Sequence, residues 1–172
     1  ISCCDSRVNP SKIFKENIGD FFIYRNIANL VPDVESKNPD PGTLSAIEYA
    51  IKSLHISDLI ILGHSSCGGI KHAYEHFSDK IPKQKSFLNE WILNIKPAFE
   101  ELDKNYPEHL HIKFLEKLSI KKSILNVYKI PEIKNLILNS ELKIHGLWYE
   151  IGTGNLLEYN IENDDFEKLD YW

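Results

Sequence analysis

The chain has 172 residues, 42% of them apolar and 26% charged, and carries a formal net charge of −5. That length suits one core rather than two, so a single soluble domain over residues 1–172 is expected and a disordered chain is excluded. The acidic balance argues against a nucleic-acid partner, which needs clustered Lys and Arg, and no apolar run approaches the roughly 20 residues of a membrane span.

In chain order, residues 1–4 read as the end of a strand and 10–16 as a short helix with Pro10 at its start. Residues 20–27 (DFFIYRNI) are aromatic and β-branched, the composition of a strand. After the Pro-Gly loop at 39–42, Leu44, Ile47, Ala50, Ile51 and Leu54 recur at helical spacing, predicting a helix that covers a sheet. Residues 59–62 (LIIL) suit a strand buried on both faces. Helix is predicted from Gly68, then through 86–102, 111–127 and from Pro131. A strand over 142–151, a turn at 152–155 and a strand to about Tyr159 close the chain. This alternation predicts an α/β fold: a mostly parallel central sheet flanked by helices, with a strand pair near the C-terminus.

Three cysteines are a poor disulfide framework, and reduced thiols fit better. All three lie in two motifs at predicted strand ends. Cys3-Cys4-Asp5-Ser6-Arg7 closes the first strand, and His64-Ser65-Ser66-Cys67-Gly68-Gly69 follows the LIIL strand by one glycine. Functional residues of parallel sheets gather at the carboxyl ends of strands, so the two motifs are expected to meet. Two thiolates and one imidazole leave the fourth tetrahedral position of a zinc ion for water, which is the pattern of a catalytic site. Neighbouring residues of a strand point to opposite faces, so with Cys3 in the site Cys4 is expected in the core.

C-x-D-S-R followed by H-x-x-C-G-G resembles the β-carbonic anhydrase family, as do 25–29 (RNIAN), 42–50 and 145–149 (HGLWY); the likeness spans nearly the whole chain. It implies one zinc ion per chain held by Cys3, His64 and Cys67, with CO2 hydrated to bicarbonate and a proton. Asp5 and Arg7 are implied as a catalytic pair, Asp5 accepting a hydrogen bond from the zinc-bound nucleophile while Arg7, two residues on along the same strand face, keeps it ionised. Phe22, Ile27, Tyr49 and the backbone of Gly68 resemble the apolar CO2 pocket of the plant-type, open branch; in the other branch Asp5 itself closes on the metal. The resemblance also implies a homodimer or higher homo-oligomer with active sites near the subunit interface.

Other readings compete. Arg25 is a candidate anion contact or a bridge between loops. His72, Glu75 and His76 match H-x-x-E-H, the inverted zinc-protease pattern, but without a third ligand they read as a solvated helix face. His145, in an apolar strand-like context, reads as a hydrogen-bonded core histidine. A non-catalytic zinc-stabilised binding module, or a hydrolase of another small linear electrophile, shares the same motifs; Asp5 with Arg7 argues against the module. The chain contains no methionine, so a segment upstream of Ile1 is expected. The cytoplasm is the expected compartment, with organellar targeting by such a segment left open.

Overall fold

The computed structural model describes residues 1–36 and 39–169. A six-stranded sheet runs in the order β2-β1-β3-β4-β5-β6, where β1 is Ser2–Cys3, β2 Arg25–Asn26, β3 Asp58–His64, β4 Lys143–Glu150, β5 Asn155–Asn160 and β6 Asp165–Lys168. The first four strands are parallel; β5 and β6 fold back antiparallel from β4. The expected architecture holds, and the terminal strand pair extends into a three-stranded meander.

Helix α1 is Pro10–Ile13, capped by the Asn9 side chain, which accepts from Lys12 N–H. Helix α2, Pro41–Lys52, starts inside the expected loop, because the Asp40 carboxylate accepts from Thr43 N–H and Pro41 stands where no amide is needed. The remaining helices are α3 (Gly68–Phe77), α4 (Phe87–Trp91), α5 (Lys96–Glu100), α6 (Glu108–Tyr128) and α7 (Pro131–Leu138). The helix expected over 86–102 is therefore broken. A 3₁₀ turn at Ile92–Ile95 separates α4 from α5, and Pro97, which has no N–H to continue an earlier helix, sits in the first turn of α5.

The strand expected at 20–27 shrinks to two residues. Ser2 pairs with Arg25, so residues 20–23 lie beyond the reach of β1 in that register, and Ile27–Asn29 turn into a 3₁₀ segment.

Strand β3 is buried on both faces as its composition requires. Leu59 and Ile61 join Ile47, Ile51, Ile120, Ile124 and Trp148 under α2 and α6, while Leu62 packs with Val8 and Leu147 on the other side. Helix α6 approaches closely at Gly63, where a Cβ would stand 2.6 Å from Ile120 Cδ1. Only glycine lets the helix pack that near, and the next residue is His64.

Candidate metal centre

Strands β1 and β3 are neighbours, and β1 has β2 on its other side, so the connections diverge at their carboxyl ends and leave a crevice there. Cys3 ends β1, His64 ends β3, and Cys67 sits at the N-cap of α3 with no side-chain capping bond. One ligand atom from each of these three buried residues lies within 4.8 Å of the others, and this is the metal-competent group found among the described residues.

The donor set fits zinc. The sulfurs are 4.0 Å apart, and two thiolates at the usual ~2.3 Å from one tetrahedral ion stand about 3.8 Å from each other. His64 Nδ1 lies 3.0 Å from the Ser65 carbonyl, which only accepts, so Nδ1 carries the proton and Nε2 presents its lone pair. That Nε2 is buried without a hydrogen-bond partner. A backbone carbonyl on the far nitrogen is the usual brace of a metal-ligating histidine.

Electrostatics agree. The hydrogen bond from the Cys67 thiol draws Cys3 down against the effect of burial, and the amides of Asp5 and Ala28 add to it. Cys67 is pushed up by Cys3 and by burial, although the amides of Gly69 and Ile70 at the start of α3 face it. One thiolate thus opposes a second, and a cation between them is what allows both.

Asp5 and Arg7 meet in a fork: Arg7 Nε donates to Oδ1 at 2.9 Å and Nη2 to Oδ2 at 2.7 Å, while the Arg7 amide also reaches Oδ1 at 2.9 Å. The contact is made by a turn rather than along one strand face, since β1 stops at Cys3 and Val8 N–H closes on Asp5 O. Arg7 holds the Asp5 carboxyl well below the usual carboxylate range. Nη2 of Arg7 also donates to Ser66 O at 3.0 Å, tying the first motif to the second.

Arg25 donates through Nε to Cys3 O and through Nη2 to Asp5 O and Val8 O, at 2.9, 2.8 and 2.6 Å. It bridges loops, the alternative to an anion contact. Cys4 is corrected: it is exposed, because the strand ends before it and the loop carries it to the surface. His72 Nε2 bonds to Asn89 Oδ1, and His76 packs edge-on against Phe77, so the H-x-x-E-H stretch assembles no metal group among the described residues. His145 is hydrogen-bonded, but to two carboxylates, Glu158 at 2.7 Å and Asp58 at 3.0 Å, near the sheet surface.

Phe22 and Tyr49 pair with ring centroids 5.7 Å apart, and both are about half exposed. Ile27 packs over Gly69, whose missing Cβ would sit 2.7 Å from Ile27 Cγ2, and Gly68 opens to solvent at the metal end. A cavity of about 460 Å³ takes in Phe22, Phe14 and Ile60 but is not lined by Ile27, Tyr49, Gly68 or the thiols. Of the four pocket candidates, Phe22 alone lines this cavity.

One buried residue was missed. Glu116, on α6, is 3% exposed and accepts from Cys67 N–H at 2.9 Å and from the Trp148 indole N–H at 3.2 Å. Burial pushes its carboxyl up to about 7 against those donors. The sequence offered little signal, because the buried face of α6 also carries His111, Ser119 and Ser123.

Sheet order, crevice and donor set together define an α/β protein with a Cys2His group able to hold a metal at a topological switch point. The comparisons name the family. The profile of the family described as Carbonic anhydrase matches residues 1–156, and the chain belongs to that family, in its β class. A carbonic anhydrase of Helicobacter pylori (strain J99 / ATCC 700824) is 33% identical, aligned over 99% of this chain and 79% of the relative. Beta carbonic anhydrase 6, mitochondrial, of Arabidopsis thaliana is 32% identical over 95% of this chain and 57% of its own length. Among solved structures, the β-carbonic anhydrase CcaA superposes with a TM-score of 0.87 at 28% identity, covering 98% of this chain and 82% of that one. A tetrameric β-carbonic anhydrase of Sordaria macrospora gives 0.79 at 31% identity, covering 92% and 77%. No described helix is long and apolar enough to cross a membrane.

Proposed function

We propose that this chain holds one zinc ion through Cys3, His64 and Cys67 and hydrates CO2 to bicarbonate and a proton, with Asp5 and Arg7 as the working pair. The observation that carries it is the buried, unpartnered His64 Nε2 facing two thiols beside an acidic group that does not join them. When bound, zinc supplies the Lewis acidity that makes water nucleophilic near neutral pH. The chain does the rest. Ser65 O fixes the His64 tautomer, and the amides around the sulfurs favour thiolate. Asp5, ionised by Arg7, is an acceptor that orients the attacking oxygen.

Arg7 holds both oxygens of Asp5 in a two-point fork that Asp5 would have to leave or distort to ligate the metal, which supports an open resting site. Phe22, Ile27, Tyr49 and Gly68 are proposed as the apolar substrate wall. Phe22, Ile27 and Tyr49 are 47%, 44% and 52% exposed in one chain, which supports completion of that wall in a homo-oligomer.

The test is stopped-flow CO2 hydration on zinc-quantified protein, with Cys67→Ser alongside. Fast hydration by wild type, with zinc and activity lost together in the variant, is the expected result. One zinc per chain without hydration at any pH would leave the non-catalytic module as the better account, and full zinc occupancy without Cys67 would remove it from the ligand set.

A further inference from the structure

Glu116 lies beside the metal centre and joins three elements. Its helix, α6, lies across β3 and β4; one carboxylate oxygen takes the amide of Cys67 and the other the indole of Trp148 on β4. Trp148 is itself 1% exposed and pairs in register with Gly63, the residue before His64. The segment being held needs holding. Ser66 has φ 56°, a left-handed backbone for a residue with a side chain, and Cys67 caps α3 without a side-chain bond of its own.

We infer that Glu116 is the positioning residue of the metal site: it fixes the Cys67 amide, and with it the Cys67 sulfur, while Trp148 locks the carboxylate in place. This rests on the reading of Cys3, His64 and Cys67 as zinc ligands. The chemistry admits few substitutes. A backbone amide and an indole N–H can only donate, so both oxygens at position 116 must accept. Glutamine offers one acceptor, and its NH2 is forced against one of the two N–H groups. Leucine leaves both donors buried and unpaired.

The consequence is a rescue pattern that a merely structural carboxylate would not produce. Trp148→Phe removes a donor but keeps the Glu116 to Cys67 bond, so the metal should stay even where packing is lost. In Glu116→Gln with Trp148→Phe, the amide oxygen serves Cys67 and the NH2 occupies the space left by the indole N–H.

The experiment follows zinc release to a chelator, the thiolate-to-metal absorption of the cobalt-loaded protein, and the melting temperature of each variant. Glu116→Gln is expected to release zinc about 10–100-fold faster, as loss of an outer-shell partner typically does, with a shifted cobalt spectrum. Trp148→Phe and the double variant are expected to return to within about threefold of wild type, with the wild-type spectrum, despite lower melting temperatures. Metal release that simply tracks melting temperature across the set, or wild-type retention in Glu116→Gln, would overturn the inference. A wild-type chain that loads neither zinc nor cobalt would remove the metal-site reading and this inference with it, whereas a loaded wild type beside an unaffected Glu116→Gln removes the inference alone.

Discussion

Gly63 is the point where packing and chemistry touch most directly, and Gly63→Ala tests how tightly they are coupled. The added methyl would lie 2.6 Å from Ile120 Cδ1, 2.9 Å from Ile120 Cγ1 and 3.3 Å from Asn29 Nδ2. The first two are side-chain atoms of one residue that is fully buried, with Gly146 crowding it as well, so Ile120 has little room to withdraw. Overpacking of this kind costs about 1–3 kcal/mol. Ile120→Ala alone removes three carbons, a transfer loss of about 2.4 kcal/mol at ~0.8 per methylene, and about 2–5 kcal/mol with the cavity included. Combined, the two changes should not add: Ile120→Ala removes both clashing atoms, and the new methyl fills part of the hole. The expected coupling is about 2 kcal/mol, with the double variant no less stable than Ile120→Ala alone. Urea unfolding at fixed excess zinc, read by circular dichroism with an unchanged slope, measures all four corners. Simple additivity, or a Gly63→Ala chain as stable as wild type, would refute the claim that glycine is required for the helix to sit where it does.

Asp5→Asn should keep near-stoichiometric zinc by elemental analysis while losing about 10²–10⁴-fold in hydration rate, since an acceptor that orients the nucleophile is removed without touching a ligand. Arg25→Lys keeps the charge but loses the planar fork that reaches three carbonyls, so it should lower the melting temperature and loosen zinc retention instead of restoring wild-type behaviour. Asp58 is held below its ordinary 3.8 by the Ser57 hydroxyl first and His145 second. A depressed carboxyl contributes stability above its ordinary value and loses it as the pH falls through the lowered one. Ser57→Ala should therefore reduce the urea midpoint at pH 6, and the difference should shrink as the pH is taken below 3.8, by a small amount because Asp58 is 47% exposed.

The Cys3, His64 and Cys67 cluster was legible in the sequence because the chemistry of the proposed ligands is local. Cys3, His64 and Cys67 each sit in a short motif at a strand end, and parallel order was enough to bring the ends together. Glu116 was not legible for the opposite reason: its two partners belong to a loop and a strand distant in sequence, and on α6 it looks like one polar residue among several. The short β2 and the extra β6 were misjudged because strand length depends on pairing partners, which composition does not register. Cys4 failed through overextension of a sound rule, since alternation holds only while the strand continues. The helix break at 92–95 was visible in Pro97, but the apolar pattern ran through it.

On the proposed reading, the same short segment, Cys3 to Arg7, would provide both a metal ligand and an acceptor that has to be kept from becoming one. A carboxylate two residues from a thiolate ligand would be drawn to a dication unless something competed for it. Arg7 competes with two parallel charge-assisted bonds and adds its own amide, and these cover both oxygens of Asp5. Its remaining bond to Ser66 O reaches the loop that carries Cys67. The residue that holds Asp5 therefore also ties the two segments carrying the proposed ligands to each other. Moving Arg7 would release Asp5 and loosen that tie together. On the proposed reading an open site and a well-held Cys67 loop would thus be two results of one guanidinium, and loss of either is expected to accompany loss of the other.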